Sequence, residues 1–170
     1  MARMSGTRVS IVVFATSFLL GLLFTHWIAD SLTLWKPPAT DERLWMSATY
    51  YSVIAKTPIG FLYLFAFVAI GGGLTILWCL REGEAGNLMF DGGSIFLYAS
   101  ALAVYVHTVL PNLGVNFLTL PESATEIPEP LKRSTLELAS SHLVCSVALT
   151  GVLALQAGRW WAENNNDPDH

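Results

Sequence analysis

Hydrophobic and polar positions fall into long blocks rather than a short alternation. Four uncharged runs stand out: Val9–Ala29, Ile59–Leu80, Ser94–Leu110 and Leu138–Ala157, of 21, 22, 17 and 20 residues. A hydrocarbon layer about 30 Å thick is crossed by about 20 residues at helical rise, so each run predicts a transmembrane helix. The chain carries nine Lys and Arg and 13 Asp and Glu, and every one lies outside these runs. A charge at a helix centre costs about 2.5–3.5 kcal/mol on insertion scales, so this exclusion is what marks the boundaries.

The segments between the runs differ in character. The first, residues 30–58, opens with a stiff Lys36-Pro37-Pro38. Its stretch from Asp41 to Ala55, with Trp45, Tyr50, Tyr51 and Ile54, suits a short interfacial helix started by Asp41. The second is a tight turn with Gly83 and Gly86, and Asp91-Gly92-Gly93-Ser94 reads as an N-terminal cap for the third span. The third, residues 114–133, holds Pro121, Pro128 and Pro130 with three Glu and is expected to be extended and acidic, with Ser134-Thr135-Leu136-Glu137 as a capping box for the fourth span. Residues 1–162 are thus expected to form one all-α domain, a four-helix transmembrane bundle, and residues 163–170 a short disordered cytosolic tail.

The first run exceeds the roughly 7–15 residues of a secretory h-region, and Thr25-His26-Trp27 is a poor cleavage context, so an uncleaved anchor is expected. Four spans place both termini on one side. Charge decides the orientation poorly: Arg3, Arg8, Arg81 and Arg159 lie on that side, against Lys36, Arg43, Lys56, Lys132 and Arg133 opposite. Because the first helix usually dominates, Arg3 and Arg8 favour cytosolic termini.

Composition agrees with this picture. Hydrophobic residues make up 53% and charged residues 13%, where a soluble domain carries about 25% charged. With a net charge of -4, two Cys and no glycine period, a nucleic-acid binder, a disulfide scaffold and a collagen-like fibre are excluded. There is no phosphate loop, HExxH, CxxC or G-x-S-x-G motif and no glycosylation sequon. Neither a catalytic residue, a cofactor nor a structural metal is assigned. Cys79 and Cys145 read as small apolar residues.

Two constellations remain. Tracking depth along the helices puts His26, His107 and His142 in one layer on the face opposite the termini, with Asp30 and Glu137 nearby. Pro111 lacks an N–H and so leaves the His107 carbonyl without its normal helical donor. Such a layer serves hydrogen bonding between helices and headgroups, bonding to a partner helix, or a metal or acid–base site. The other constellation is small residues at helical spacing. Ser17, Gly21 and Thr25 line span one, Ala69, Gly72, Gly73 and Thr75 cluster in span two, and Ser146, Thr150, Ala154 and Gly158 line span four. These faces let helices approach closely, either within the bundle or with foreign helices; Ser17, Gly21, Thr25, Ser146, Thr150 and Ala154 are the candidate contacts for a client helix.

Three segments carry a family resemblance. Leu23-Phe24-Thr25-His26-Trp27-Ile28-Ala29-Asp30 with Thr33-Leu34-Trp35 is the first, and Glu84-Ala85-Gly86-Asn87-Leu88-Met89-Phe90-Asp91 the second. With Leu138-Ala139-Ser140-Ser141-His142-Leu143-Val144-Cys145, they resemble the fungal endoplasmic-reticulum membrane chaperones dedicated to amino-acid permeases, over about residues 9–162. The resemblance implies a non-enzymatic four-span resident of the endoplasmic reticulum with both termini cytosolic. Such a protein assists amino-acid permeases to fold and to enter COPII-coated vesicles without leaving with them. The best-known branch has a longer polar tail linked to coat recruitment, whereas only Arg159–His170 follows Gly158 here. The competing readings are a small lipid or sterol enzyme using the histidine layer, and a fixed structural subunit of a membrane complex.

Overall fold

The computed structural model describes residues 2–36, 39–82, 88–121 and 126–165. Among these described residues six α-helices follow one another: α1 (Ala2–Leu34), α2 (Asp41–Ala55), α3 (Ile59–Glu82), α4 (Leu88–Val104), α5 (Leu110–Asn116) and α6 (Glu129–Asn165), with a π-helical turn, Tyr105–Val109, joining α4 to α5. Among the described residues four stretches are long and apolar enough to cross a membrane: Gly6–Leu34, Ile59–Cys79, Leu88–Asn116 and Glu129–Ala162. Exposed apolar side chains such as Phe24, Ile28 and Phe67, the last 76% exposed, form a belt suited to lipid contact.

Helix α6 is the spine, packing along both α1 and α4, while α3 touches only α1 and α4 among the described elements. Small residues set these approaches. A Cβ on Gly151 would lie 2.7 Å from Leu97, one on Gly93 2.9 Å from Leu155, and one on Gly158 3.1 Å from Phe90, so α4 and α6 meet almost backbone to side chain. The α3 stripe is likewise internal. A Cβ on Gly72 would lie 2.6 Å from Tyr98 Oη and 2.8 Å from Ala15 Cβ, and the Tyr98 hydroxyl donates to the Ala69 carbonyl at 2.9 Å.

The helices overrun the uncharged stretches, and four expectations change accordingly. The first span does not end at Ala29: α1 continues to Leu34 and carries Asp30 into the bundle. Asp91 is not a cap, because α4 starts at Leu88 and Asp91 is buried in its first turn against Arg159. Ser134 to Glu137 is not a capping box. Helix α6 starts at Glu129, with Pro130 suited to a first turn that needs no N–H, and Thr135 Oγ1 donates back to the Leu131 carbonyl at 2.7 Å. Helix α6 also runs to Asn165, three residues into the segment expected to be a disordered tail. Residues 166–170, residues 83–87 where a tight turn is expected, and Pro37-Pro38 lie outside the described residues.

The third span has a physical reason to be irregular. A proline at 111 offers no N–H and its ring crowds the carbonyl four residues back, that of His107. The π turn ends just before it, and the Leu110 N–H bonds to the Tyr105 carbonyl five residues earlier. The chain then remains helical to Asn116 rather than extending from Gly114.

Helix α2 does form over Asp41–Ala55, but it is more than a surface helix. Leu44, Ala48 and Tyr51 are fully buried and join Ala29, Phe117, Ile127, Leu131 and Leu138 in a core at the end of the bundle opposite the termini. A second core, around Val12, Ile76, Tyr98, Leu149 and Val152, fills the four-helix region.

Candidate functional site

The end of the bundle covered by α2 holds a polar network between three helices. His26 and Asp30 stand four residues apart on one face of α1, Tyr50 and Tyr51 project from α2, and His142 from α6. His142 Nδ1 lies 3.1 Å from Asp30 Oδ1, the two side chains nearly enclosed, and the Tyr51 hydroxyl donates to the same oxygen. Since a carboxylate oxygen only accepts, His142 carries its proton on Nδ1.

The His26 ring stacks on that of His142 with centroids 4.8 Å apart, and its Nδ1 is 3.1 Å from Tyr50 Oη. Tyr50 spends its one proton on the Thr25 carbonyl at 2.8 Å, so it accepts from His26, whose Nδ1 is the protonated nitrogen. Burial raises the Tyr50 phenol above its ordinary range. It raises that of Tyr51 further, with the Asp30 carboxylate adding to the effect, so both hydroxyls stay protonated donors. Ser47 Oγ donating to the Ala29 carbonyl at 2.9 Å and the edge-on packing of Tyr51 against Phe117 complete the junction of α2 with the bundle.

The expected histidine layer is therefore a pair. His26 and His142 meet, while His107 is exposed on the π turn and takes no part in the ring stack. Glu137 also stands apart, 3.5 Å from Asn112 Nδ2 of α5. Asp30, which the sequence suggests only as a neighbour, is the centre of the network. Among the described residues, no group of three or more His, Cys, Asp or Glu is arranged to hold a metal ion.

A second polar cluster lies toward the other end. Arg159 Nη1 contacts both carboxylate oxygens of Asp91, at 2.7 and 2.8 Å, and Gln156 Nε2 donates to Ser94 Oγ at 2.9 Å, all four residues being buried. Sequence reading missed this cluster. Its signal is the matched spacing: Asp91 and Ser94 are three apart on α4, as are Gln156 and Arg159 on the antiparallel α6. Cys79 and Cys145 are free thiols, and Cys145 Sγ contacts the Ala101 carbonyl at 3.4 Å.

The small-residue stripes divide by face. Ala69 and Gly72 of α3 are buried inside the bundle. Ser17, Gly21 and Thr25 of α1 are exposed, as are Thr150 and Ala154 of α6, with Ser146 half-buried. Two of these outward residues, Gly21 and Ser146, line opposite walls of a groove of about 430 Å³ between α1 and α6. Phe24, Trp27, Leu143 and Trp35 line it too, and Asp30 is the acidic residue of the lining. A separate apolar cavity of about 320 Å³ lies between α3 and the rest of the bundle, with His26 and Tyr105 among its lining.

Comparison with known proteins adds a relationship over nearly the whole chain. A family model described as ER membrane protein SH3, the SHR3 chaperone group, matches residues 4–170. The secretory component protein psh3 of Schizosaccharomyces pombe is 29% identical over 148 residues, covering 86% of this chain and 66% of its own length. The chain thus spans just under two thirds of that relative. No solved structure matches it.

Proposed function

The chain belongs to the SHR3 family of endoplasmic-reticulum membrane chaperones, and from that premise we propose that it shields transmembrane helices of newly made amino-acid permeases until they find their own partners. It is a multi-pass membrane protein of the endoplasmic reticulum. The proposal is non-enzymatic, with both termini in the cytosol and α2 in the lumen. Assistance to loading of clients into COPII-coated vesicles is the second half of the same reading.

The observation that carries it is the lipid-facing groove between α1 and α6. A permease helix with broken or polar segments exposes groups that cost several kcal/mol each when unpaired in lipid. A groove walled by Gly21 and Ser146 lets such a helix come close. Bonds between membrane helices average only about 0.6 kcal/mol, so a client held by a few of them is released once its own faces close. The rigid network of Asp30, His142 and Tyr51 supports this surface from behind by tying α1, α6 and α2 together.

The test is to remove the protein from its own cell and fractionate newly made amino-acid permeases between endoplasmic reticulum and plasma membrane, beside an unrelated polytopic protein. Retention and aggregation of permeases alone is the expected result. Normal permease traffic overturns the reading.

A further inference from the structure

Resting on the chaperone reading, the geometry of the same groove points to the chemistry of its occupant. We propose that the α1/α6 groove docks one face of a client transmembrane helix that carries a basic side chain in its luminal third, received by Asp30 Oδ2. Three observations lead there.

The first is a half-used carboxylate. Both hydrogen bonds to Asp30, from the Tyr51 hydroxyl and from His142 Nδ1, go to Oδ1. Oδ2 takes part in none of the hydrogen bonds found among the described residues, and Asp30, only 6% exposed, is one of the residues lining the groove. A carboxylate oxygen with no donor is costly in a low-dielectric setting, and a passing donor or cation is correspondingly favoured there. The second is charge: the groove lining contains one acid and neither Lys nor Arg, and the partners Asp30 already has, Tyr51 and His142, bond its other oxygen from outside that lining, so the groove side of the carboxylate is complementary to a visiting cation.

The third is shape. About 430 Å³ is room for a strip of side chains rather than a whole helix 10–12 Å across, which is what face-on docking requires. A Cβ built on Gly21 meets nothing within 4 Å, so that wall is open to a visiting backbone. An acyl chain would fill the apolar part but offers no donor to Oδ2. Trp27 and Trp35, tilted against each other in the groove lining with ring centroids 5.9 Å apart, mark the interfacial depth at which a Lys or Arg can keep its stem in hydrocarbon and its head near Asp30.

Single-span reporter helices provide the test. They are inserted into endoplasmic-reticulum membranes holding the full chain, with a photoreactive residue in place of Leu143 on the groove wall. One reporter carries Lys in its luminal third, one carries Leu there, and one carries Lys in its cytosolic third. Crosslinking to the first should exceed that to the others about fivefold, the scale of one interhelical bond of about 1 kcal/mol. That preference should fall to near unity in Asp30→Asn and partly persist in Asp30→Glu. Gly21→Leu should lower crosslinking to all three without lowering the amount of chaperone, which keeps the proposal testable if Asp30→Asn folds poorly.

Equal crosslinking of the three reporters by the wild-type sequence overturns the proposal. So does strong labelling of the groove by photoreactive phosphatidylethanolamine that the luminal-Lys reporter does not displace, which would assign the site to a lipid headgroup. Either result leaves the permease phenotype of the deletion untouched, so failure of the groove and failure of the chaperone reading are separable.

Discussion

Tyr51 and Arg159 anchor the two ends of the bundle by different chemistry, and their substitutions should fail differently. Tyr51→Phe keeps the ring against Phe117 but deprives Asp30 Oδ1 of a donor. A bond to a charged group is worth about 1.5–3 kcal/mol, so the unfolding free energy in detergent should fall by about that amount. Arg159→Met instead strands the Asp91 carboxylate in the bundle. The expected loss is about 3–5 kcal/mol, and the double variant Asp91→Leu with Arg159→Met should recover most of it, because removing both charges ends the desolvation cost. If the double variant is as unstable as the single one, the pair is not what Arg159 contributes. The sequence hid these roles for one reason. Asp30 and Asp91 lie just beyond uncharged runs and Arg159 just past another, so boundary logic assigns all three to water, whereas each is withdrawn from it by a partner on another helix.

At the scale of an element, the question is which face of a helix is already used. Gly72 and Gly21 both belong to small-residue stripes, yet only Gly72 faces its own bundle. Gly72→Leu must displace Tyr98 and Ala15, an overpacking that should cost about 1–3 kcal/mol and lower the amount of protein in the membrane. Gly21→Leu, with open space around it, should change stability by less than about 0.5 kcal/mol. Thermal unfolding of the two variants checks this directly, and similar losses in both would place Gly21 inside the packing. The existence and order of the four spans and of the α2 helix were legible in residue pattern alone. The inward or outward sense of a stripe was not, since Gly21 and Gly72 look alike until Tyr98 from α4 is set against one of them. The true starts of α4 and α6 were also hidden. Asp91 and Ser134 are good cap residues by type, but Asp91 is buried against Arg159 of α6, and Ser134 lies inside α6, buried, with its carbonyl accepting from Asn112 Nδ2 of α5.

Across the whole molecule, function turns on which compartment holds the α2 end. With four candidate spans among the described residues, the segments before the first and after the last share a side, but the flanking cations are nearly balanced and orient the bundle only through Arg3 and Arg8 at the first helix. The architecture gives that choice consequences. If the termini are cytosolic, the network of Asp30, His26, His142 and Tyr51 and the polar end of the groove lie toward the lumen, and the face carrying Arg81 and Trp160 lies toward the cytosol. The chain has no glycosylation sequon of its own, which makes an introduced one a clean reporter. A sequon inserted between Phe117 and Pro128 should be modified in cells, and one appended after His170 should not. The reverse pattern would put the α2 end in the cytosol. Asp30 would then face the compartment where positively charged loops are held back, and a groove selecting a basic residue would meet client helices at their cytosolic ends, where Lys and Arg are most frequent.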